Sequence, residues 1–110
     1  MHTALIQLSV TDDPAANLPV TVDLVRQAVS GGAGFVLTPE CTNILSSDRA
    51  HQRAVLHPEA TDPTLMTLRA EAARAGVWML IGSLALKTGD ADGRFANRSF
   101  LIAPDGGIAA

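Results

Sequence analysis

An α/β fold built on a mixed sheet is predicted by three features of the 110-residue sequence. Apolar runs of β type alternate with helix-type stripes, the run Gly34-Phe35-Val36-Leu37 has no polar position, and the last two strand-like runs are joined by a polar loop instead of a helix. A strand that is apolar throughout belongs inside a parallel sheet, and two strands joined through a loop pair antiparallel. The composition suits one globular unit. It is 47% hydrophobic and 17% charged, which excludes a disordered tail. No apolar run approaches the ~18 residues of a membrane span. A net charge of −3 without any cluster of Lys or Arg argues against nucleic acid as a partner.

The first strand is expected over Ala4 to Val10, entering the core and then alternating outward. Thr11-Asp12-Asp13-Pro14 turns into a helix, with Asp13 as N-cap and Pro14 at the first helical position. Leu18, Val22, Val25 and Val29 make its apolar stripe. Pro19 fits such a helix poorly, so either the helix kinks there or Asn17 caps a later start. Ser30-Gly31-Gly32 ends the helix. A phosphate-binding loop needs its glycines after a strand and before a helix, the reverse of this order, so these glycines are punctuation.

The buried strand then stops at Thr38-Pro39-Glu40. A carboxylate at the carboxyl end of a strand in an open α/β sheet lies where ligands bind, which makes Glu40 the first candidate for chemistry. Cys41 to Thr61 is irregular and long enough to be a lid or pocket wall, with a short helix around Asp48 to Val55. Thr42 and Asn43, just past the acid, are candidates for lining a substrate pocket. His51 and His57 match neither helical nor strand ligand spacing, so no metal site is expected, and no cofactor. Glu59 follows no strand and reads as a solvated acid.

Asp62-Pro63 repeats the cap-and-proline start, and Leu65, Leu68, Ala72 and Ala75 form the stripe of a second long helix that stops at Gly76. Val77 to Leu86 is the third strand, with Trp78 read as core. Gly82 in its interior marks a bulge or a close approach of another backbone. Lys87 to Ala96 is the polar loop, and Asn97 to Ala103 the fourth strand; Asn97 reads as closing that loop. Pro104-Asp105-Gly106-Gly107 is a turn, and a fifth strand opens at Ile108. A sheet edge left open there implies a truncated domain, with poor solubility for the isolated chain.

Four segments together carry a family resemblance: Asp13 to Asn17 opening the first helix; Gly34-Phe35-Val36-Leu37-Thr38-Pro39-Glu40; Trp78-Met79-Leu80-Ile81-Gly82-Ser83; and Phe95 through Gly106. Their order and spacing resemble the N-terminal half of the carbon–nitrogen hydrolase (nitrilase) superfamily, most of all its Nit-type amidases. The resemblance implies half of an αββα sandwich with a mixed sheet, residues 1–110 being the N-terminal part of a single domain. It implies a Glu, Lys, Cys triad that hydrolyses a small ω-amide, a related amide or a nitrile to acid and ammonia, and a homo-oligomer for the full-length protein. Glu40 matches the family's glutamate, the general base; the lysine and the cysteine fall beyond Ala110. The 110 residues alone are therefore expected to be inactive.

Cys41 and Lys87, the single cysteine and single lysine, do not replace the missing pair. On extended backbone Glu40 and Cys41 point to opposite faces, and Lys87 belongs to the far end of another strand. With one cysteine and no leader-like N-terminal segment, the expected compartment is the cytoplasm, and Asn97-Arg98-Ser99 is a chance sequon. A non-catalytic α/β binding or assembly module is the alternative reading.

Overall fold

The computed structural model describes residues 2–89 and 94–110. Their elements run β1 (His2–Leu5), α1 (Pro14–Ser30), β2 (Ala33–Thr38), α2 (Arg49–Val55), a 3-10 turn (Glu59–Thr61), α3 (Pro63–Ala75), β3 (Trp78–Lys87) and β4 (Phe95–Ile102). The strands form one four-stranded sheet in the order β1-β2-β3-β4. The β1–β2 and β2–β3 pairs are parallel and β3–β4 is antiparallel, so the sheet is mixed, as the sequence predicts. Part of the polar loop between β3 and β4, residues 90–93, lies outside the described residues.

Both long helices start where the sequence places their caps. Asp13 accepts a hydrogen bond from the amide of Ala15, and Asp62 from that of Leu65, each with proline in the first turn. α3 stops at Gly76 in the left-handed conformation. Helix α1 runs through Pro19 from its start at Pro14, so Asn17 caps nothing. Asn17 is buried instead, its amide donating to the carbonyls of Thr11 and Asn43.

The helices cover one face of the sheet. Val36, Met79, Ile81, Phe100 and Ile102 point to that side and are buried with Val25 of α1 and Leu65, Leu68 and Ala72 of α3. Adjacent positions point the other way, and the registers line them up across the strands: Leu5 with Leu37, Phe35 with Trp78, Leu80 with Leu101. Among the described residues no helix covers that face at Leu5 or Trp78, so Leu5 is exposed and Trp78 only partly buried. Trp78 thus lies outside the core predicted for it, because its position on the strand is one residue out of phase with Met79 and Ile81.

The sequence and structure part at three further places. β1 starts at His2 and ends at Leu5, because its only partner, β2, runs out at Thr38; after the amide of Ile6 bonds the carbonyl of Leu37 the chain leaves the sheet. In α1 the fully buried residues are Asn17, Thr21 and Val25, while Leu18 and Val22 turn toward the gap between α1 and α3. β4 starts at Phe95, two positions before the predicted Asn97. The expected fifth strand is a short antiparallel contact: Ile108 bridges Ile102, and Leu101 exchanges hydrogen bonds with Ala109 and Ala110.

A bulge in β3 decides what this sheet can hold. Between Ile81 and Leu84 the register against β4 slips by one residue, Ile81 facing Phe100 and Leu84 facing Arg98. One extra residue resets the alternation, so Leu84 and Leu86 enter the same core as Met79 and Ile81. The bulge at Gly82-Ser83, two residues opposite Ser99, sits where β2 ends and β3 continues beyond it.

Candidate functional site

β2 is the central parallel strand, and at its carboxyl end the chain turns through Pro39, Glu40 and Cys41. Glu40 is exposed at the crest of this turn. The backbone beneath it is held closely. The amide of Cys41 donates to Ser83 Oγ at 2.8 Å, and the amide of Thr42 donates to the Ser83 carbonyl at 2.9 Å. Thr42 Oγ1 donates to the Pro39 carbonyl at 2.6 Å and lies 2.8 Å from Thr38 Oγ1, which in turn accepts from the Gly82 amide at 3.3 Å.

Gly82 is what lets the turn lie so near β3. A Cβ there would stand 2.4 Å from the Thr38 carbonyl oxygen and 2.6 Å from the Pro39 carbonyl carbon. The predicted bulge and the predicted close approach are one feature, and the approaching backbone is the peptide leading into Glu40.

Thr42 and Asn43 follow, both fully buried. The Asn43 side-chain amide donates to the carbonyl of Ala85 at 2.9 Å, and its oxygen accepts from the amide of Ala85 at 3.0 Å. Asn43 therefore continues on β3 the ladder that β2 began, one side chain doing what a strand residue would do. Its own carbonyl receives the amide of Asn17, tying α1 to the same loop.

Cys41 adopts φ 51, the only residue other than glycine with positive φ among the described residues. Its backbone is thus left-handed, not extended, which corrects the premise used above for separating it from Glu40. Its thiol borders a cleft of about 150 Å³ with Ile44, Leu56, Phe95 and Asn97, and makes a long 3.9 Å contact to Asn97 Oδ1. Lys87 closes β3, four residues past Ser83, about 13 Å along an extended strand. Its amide bonds the carbonyl of His57, which ties the end of β3 to the segment before α3.

In the irregular segment after the turn, Val55 borders the gap between α1 and α3, and Arg49 lies 5.4 Å over the Phe95 ring. Asp48 caps α2, as the sequence suggests for this region, and His51 Nε2 donates to the Asp12 carbonyl at 2.6 Å. Glu59 pairs with Arg98 at 3.2 Å. A cavity of about 620 Å³ opens between the N-terminal ends of α1 and α3, walled by Leu18, Val22, Val55, His57 and Asp62; Glu40 does not border it. Burial pushes the Asp62 carboxyl up, opposed by the Leu65 amide and by His57. In contrast, Glu71 is held below the usual carboxylate range by hydrogen bonds from Arg26, with Arg74 adding to it against burial. Among the described residues no three His, Cys, Asp or Glu side chains cluster as metal ligands, and no helix is long and apolar enough to cross a membrane.

Ser83, Thr38 and Gly82, which hold the turn, were not singled out together by sequence. Only Gly82 gave a signal, as a glycine inside a strand.

The fold is shared with solved structures. The NitFhit protein of C. elegans superposes with a TM-score of 0.86 at 22% identity over 98% of this chain. An amidase from Nesterenkonia sp. gives 0.75 at 24% identity over 98% of the chain. An N-terminal amidase bound to a Gln-Gly peptide gives 0.76 at 15% identity over 96% of it. The chain spans 26%, 40% and 26% of those three chains. No curated protein matches. The family model for carbon–nitrogen hydrolase matches residues 2–110, from the first strand through the Glu40 turn and the bulge to the end of the chain, and the protein belongs to that family.

Proposed function

We propose that these residues supply the general base of a thiol-dependent amidase, with Glu40 in that role. The observation that carries the reading is the placement of Glu40: an exposed carboxylate at the carboxyl end of the central parallel strand, on a turn whose backbone is fixed from both sides. In the proposed reaction a cysteine thiol gives its proton to Glu40 and its sulfur attacks the amide carbon. A lysine stabilises the oxyanion, Glu40 protonates the departing ammonia, and water, deprotonated by Glu40, cleaves the thioester to the acid and restores the thiol. The lysine and cysteine are proposed to come from sequence other than these 110 residues, because Lys87 lies four residues past Ser83 on β3 and Cys41 faces its own cleft. The 110 residues alone are accordingly proposed to be inactive.

Support for thiol chemistry comes from the Nesterenkonia sp. AN1 amidase, a mutant of which shows Michael addition of acrylamide at its active-site cysteine. The N-terminal amidase bound to Gln-Gly, Gln-Val and Asn-Glu peptides favours a carboxamide over a nitrile as the substrate class. A small ω-amide is the proposed substrate. The proposal includes a homo-oligomer acting in the cytoplasm. Thr42 and Asn43 are proposed to build the pocket wall, their side-chain polar atoms being engaged by Pro39, Thr38 and Ala85.

The test is ammonia release from ω-amides by the protein expressed from the whole coding region. Glu40→Gln should lower kcat/KM by about 10³-fold with the fold intact. Undiminished turnover in that variant would overturn the assignment. A coding region that ends at Ala110 and yields a monodisperse, cooperatively melting chain without turnover would favour the binding or assembly module.

A further inference from the structure

We infer that Ser83 and Thr42 are positioning residues for Glu40, each fixing one of the two peptide planes that flank it; the inference rests on Glu40 acting as the base. A residue's side-chain direction is set by its φ and ψ, that is, by how the peptide before it and the peptide after it are oriented. The peptide before Glu40 contributes the Pro39 carbonyl, which accepts the Thr42 hydroxyl at 2.6 Å. The peptide after it contributes the Cys41 amide, which donates to the Ser83 hydroxyl at 2.8 Å. Both planes are therefore held by side chains, and the Cα–Cβ direction of Glu40 follows.

Proton counting gives the clamp a direction. The Pro39 carbonyl can only accept, so the single hydroxyl proton of Thr42 is spent on it. In the 2.8 Å contact between the two threonines, Thr38 must then be the donor and Thr42 the acceptor. Thr38 Oγ1 keeps a lone pair for the Gly82 amide at 3.3 Å. The result is one relay of like-directed bonds, from the Gly82 N–H through Thr38 and Thr42 to the Pro39 carbonyl, in which each bond polarises the next. Its two ends sit on the β3 bulge and on the peptide leading into Glu40. The carbonyl of Ser83 adds a parallel tie by accepting the Thr42 amide at 2.9 Å.

This arrangement also accounts for the left-handed backbone of Cys41, φ 51. A residue with a side chain holds that conformation where its surroundings over-determine it, and here the amides of Cys41 and Thr42 are both bound to Ser83. Ser83 is buried, so water does not compete for these bonds.

The test is solution NMR of the protein expressed from the whole coding region, with Ser83→Ala, Thr42→Val and the hydroxyl-retaining Thr42→Ser. In Ser83→Ala the Cys41 amide should exchange about fivefold faster, the effect of losing one net hydrogen bond, with Met79 unchanged. In Thr42→Val the Glu40 amide-to-Hα coupling, which reports φ, should move toward an averaged value, with Thr42→Ser keeping the parent value; in Ser83→Ala the NOE from Glu40 Hα to the Cys41 amide, which reports ψ, should change. An unchanged NOE from Glu40 Hα to the Cys41 amide in Ser83→Ala, or Thr42→Ser behaving as Thr42→Val, would overturn the inference. Should Thr42→Val not fold, Ser83→Ala and Thr42→Ser decide it. None of these readouts needs turnover. A moved Thr42→Val coupling and Ser83→Ala NOE in a protein without amidase activity would uphold the clamp and overturn the functional reading instead, whereas an active enzyme in which neither moved would do the reverse.

Discussion

Replacing Gly82 with alanine should separate the Glu40 turn from β3. The new Cβ would meet the Thr38 carbonyl oxygen at 2.4 Å and the Pro39 carbonyl carbon and oxygen at 2.6 and 2.7 Å. All three are backbone atoms, so no side chain can swing aside. Ordinary contact begins at 3.4 Å. The two segments must therefore part by about 1 Å, enough to forfeit much of any bond or contact between them. The bonds at stake are Cys41 to Ser83 at 2.8 Å and Thr42 to Ser83 at 2.9 Å. At about 1 kcal/mol net for each bond and about 1–3 kcal/mol for overpacking, the loss exceeds the about 0.5–1 kcal/mol that alanine gains over glycine within a strand. The variant should lose about 2–4 kcal/mol, and its melting midpoint should fall by about 10–30 °C for a domain of this size. Far-UV circular dichroism melts measure this. Gly31→Ala is the control: its Cβ meets nothing nearer than 3.4 Å and its φ of −80 suits alanine. A Gly82→Ala midpoint within about 2 °C of the parent would refute the reasoning.

Gly106→Ala should destabilise through a different contact, its Cβ meeting the Arg69 carbonyl at 2.9 Å and Ala73 at 3.1 Å while φ stays at +85. The expected cost is about 2 kcal/mol or more by urea denaturation, with the Pro104 turn loosened from α3. Asn43→Leu keeps the volume but strips both partners from the Ala85 peptide groups, and should cost about 2–4 kcal/mol in the same assay. Glu71 sets part of the acid limb of stability. Its folded pKa lies below the ordinary 4.5 because Arg26 and then Arg74 bond its carboxylate, so its contribution is present above pH 4.5 and disappears as pH falls through the folded value. Urea midpoints should fall on acidification in the parent, and fall less in Glu71→Gln; equal slopes would count against the pair.

Most of the fold was legible in local chemistry. Asp13-Pro14 and Asp62-Pro63 announce helix starts because a carboxylate followed by a proline satisfies the needs of a first turn whatever lies around it. Gly34 to Leu37 announced a central strand because a run without polar residues has nowhere else to go. Where the reading slipped, the deciding fact was a neighbour. β1 ends where β2 gives it no further partner, and Trp78 stays half-buried because no helix among the described residues covers it, which its own segment does not record. Asparagine before a helical stripe commonly caps it, which is why the sequence offers Asn17 as a cap. Its actual partners, Thr11 and Asn43, lie 6 and 26 residues away.

The site divides along the same line. Glu40 was legible because its role depends on a strand end, a property of the immediate sequence. Its support was not, because Cys41 and Ser83 are 42 residues apart and a serine inside an apolar strand looks like any tolerated small residue. Gly82 was the one trace left in the sequence, since a glycine in a strand costs stability and needs a reason to be there. The reason is the Pro39 peptide pressed against it. The same bulge turns Leu84 and Leu86 into the core and brings Ser83 under the Glu40 turn, so packing and positioning share one inserted residue. A variant that removes the bulge cannot spare one and lose the other. This is why the clamp must be probed by single hydroxyl deletions at Ser83 and Thr42, which leave the register of β3 untouched.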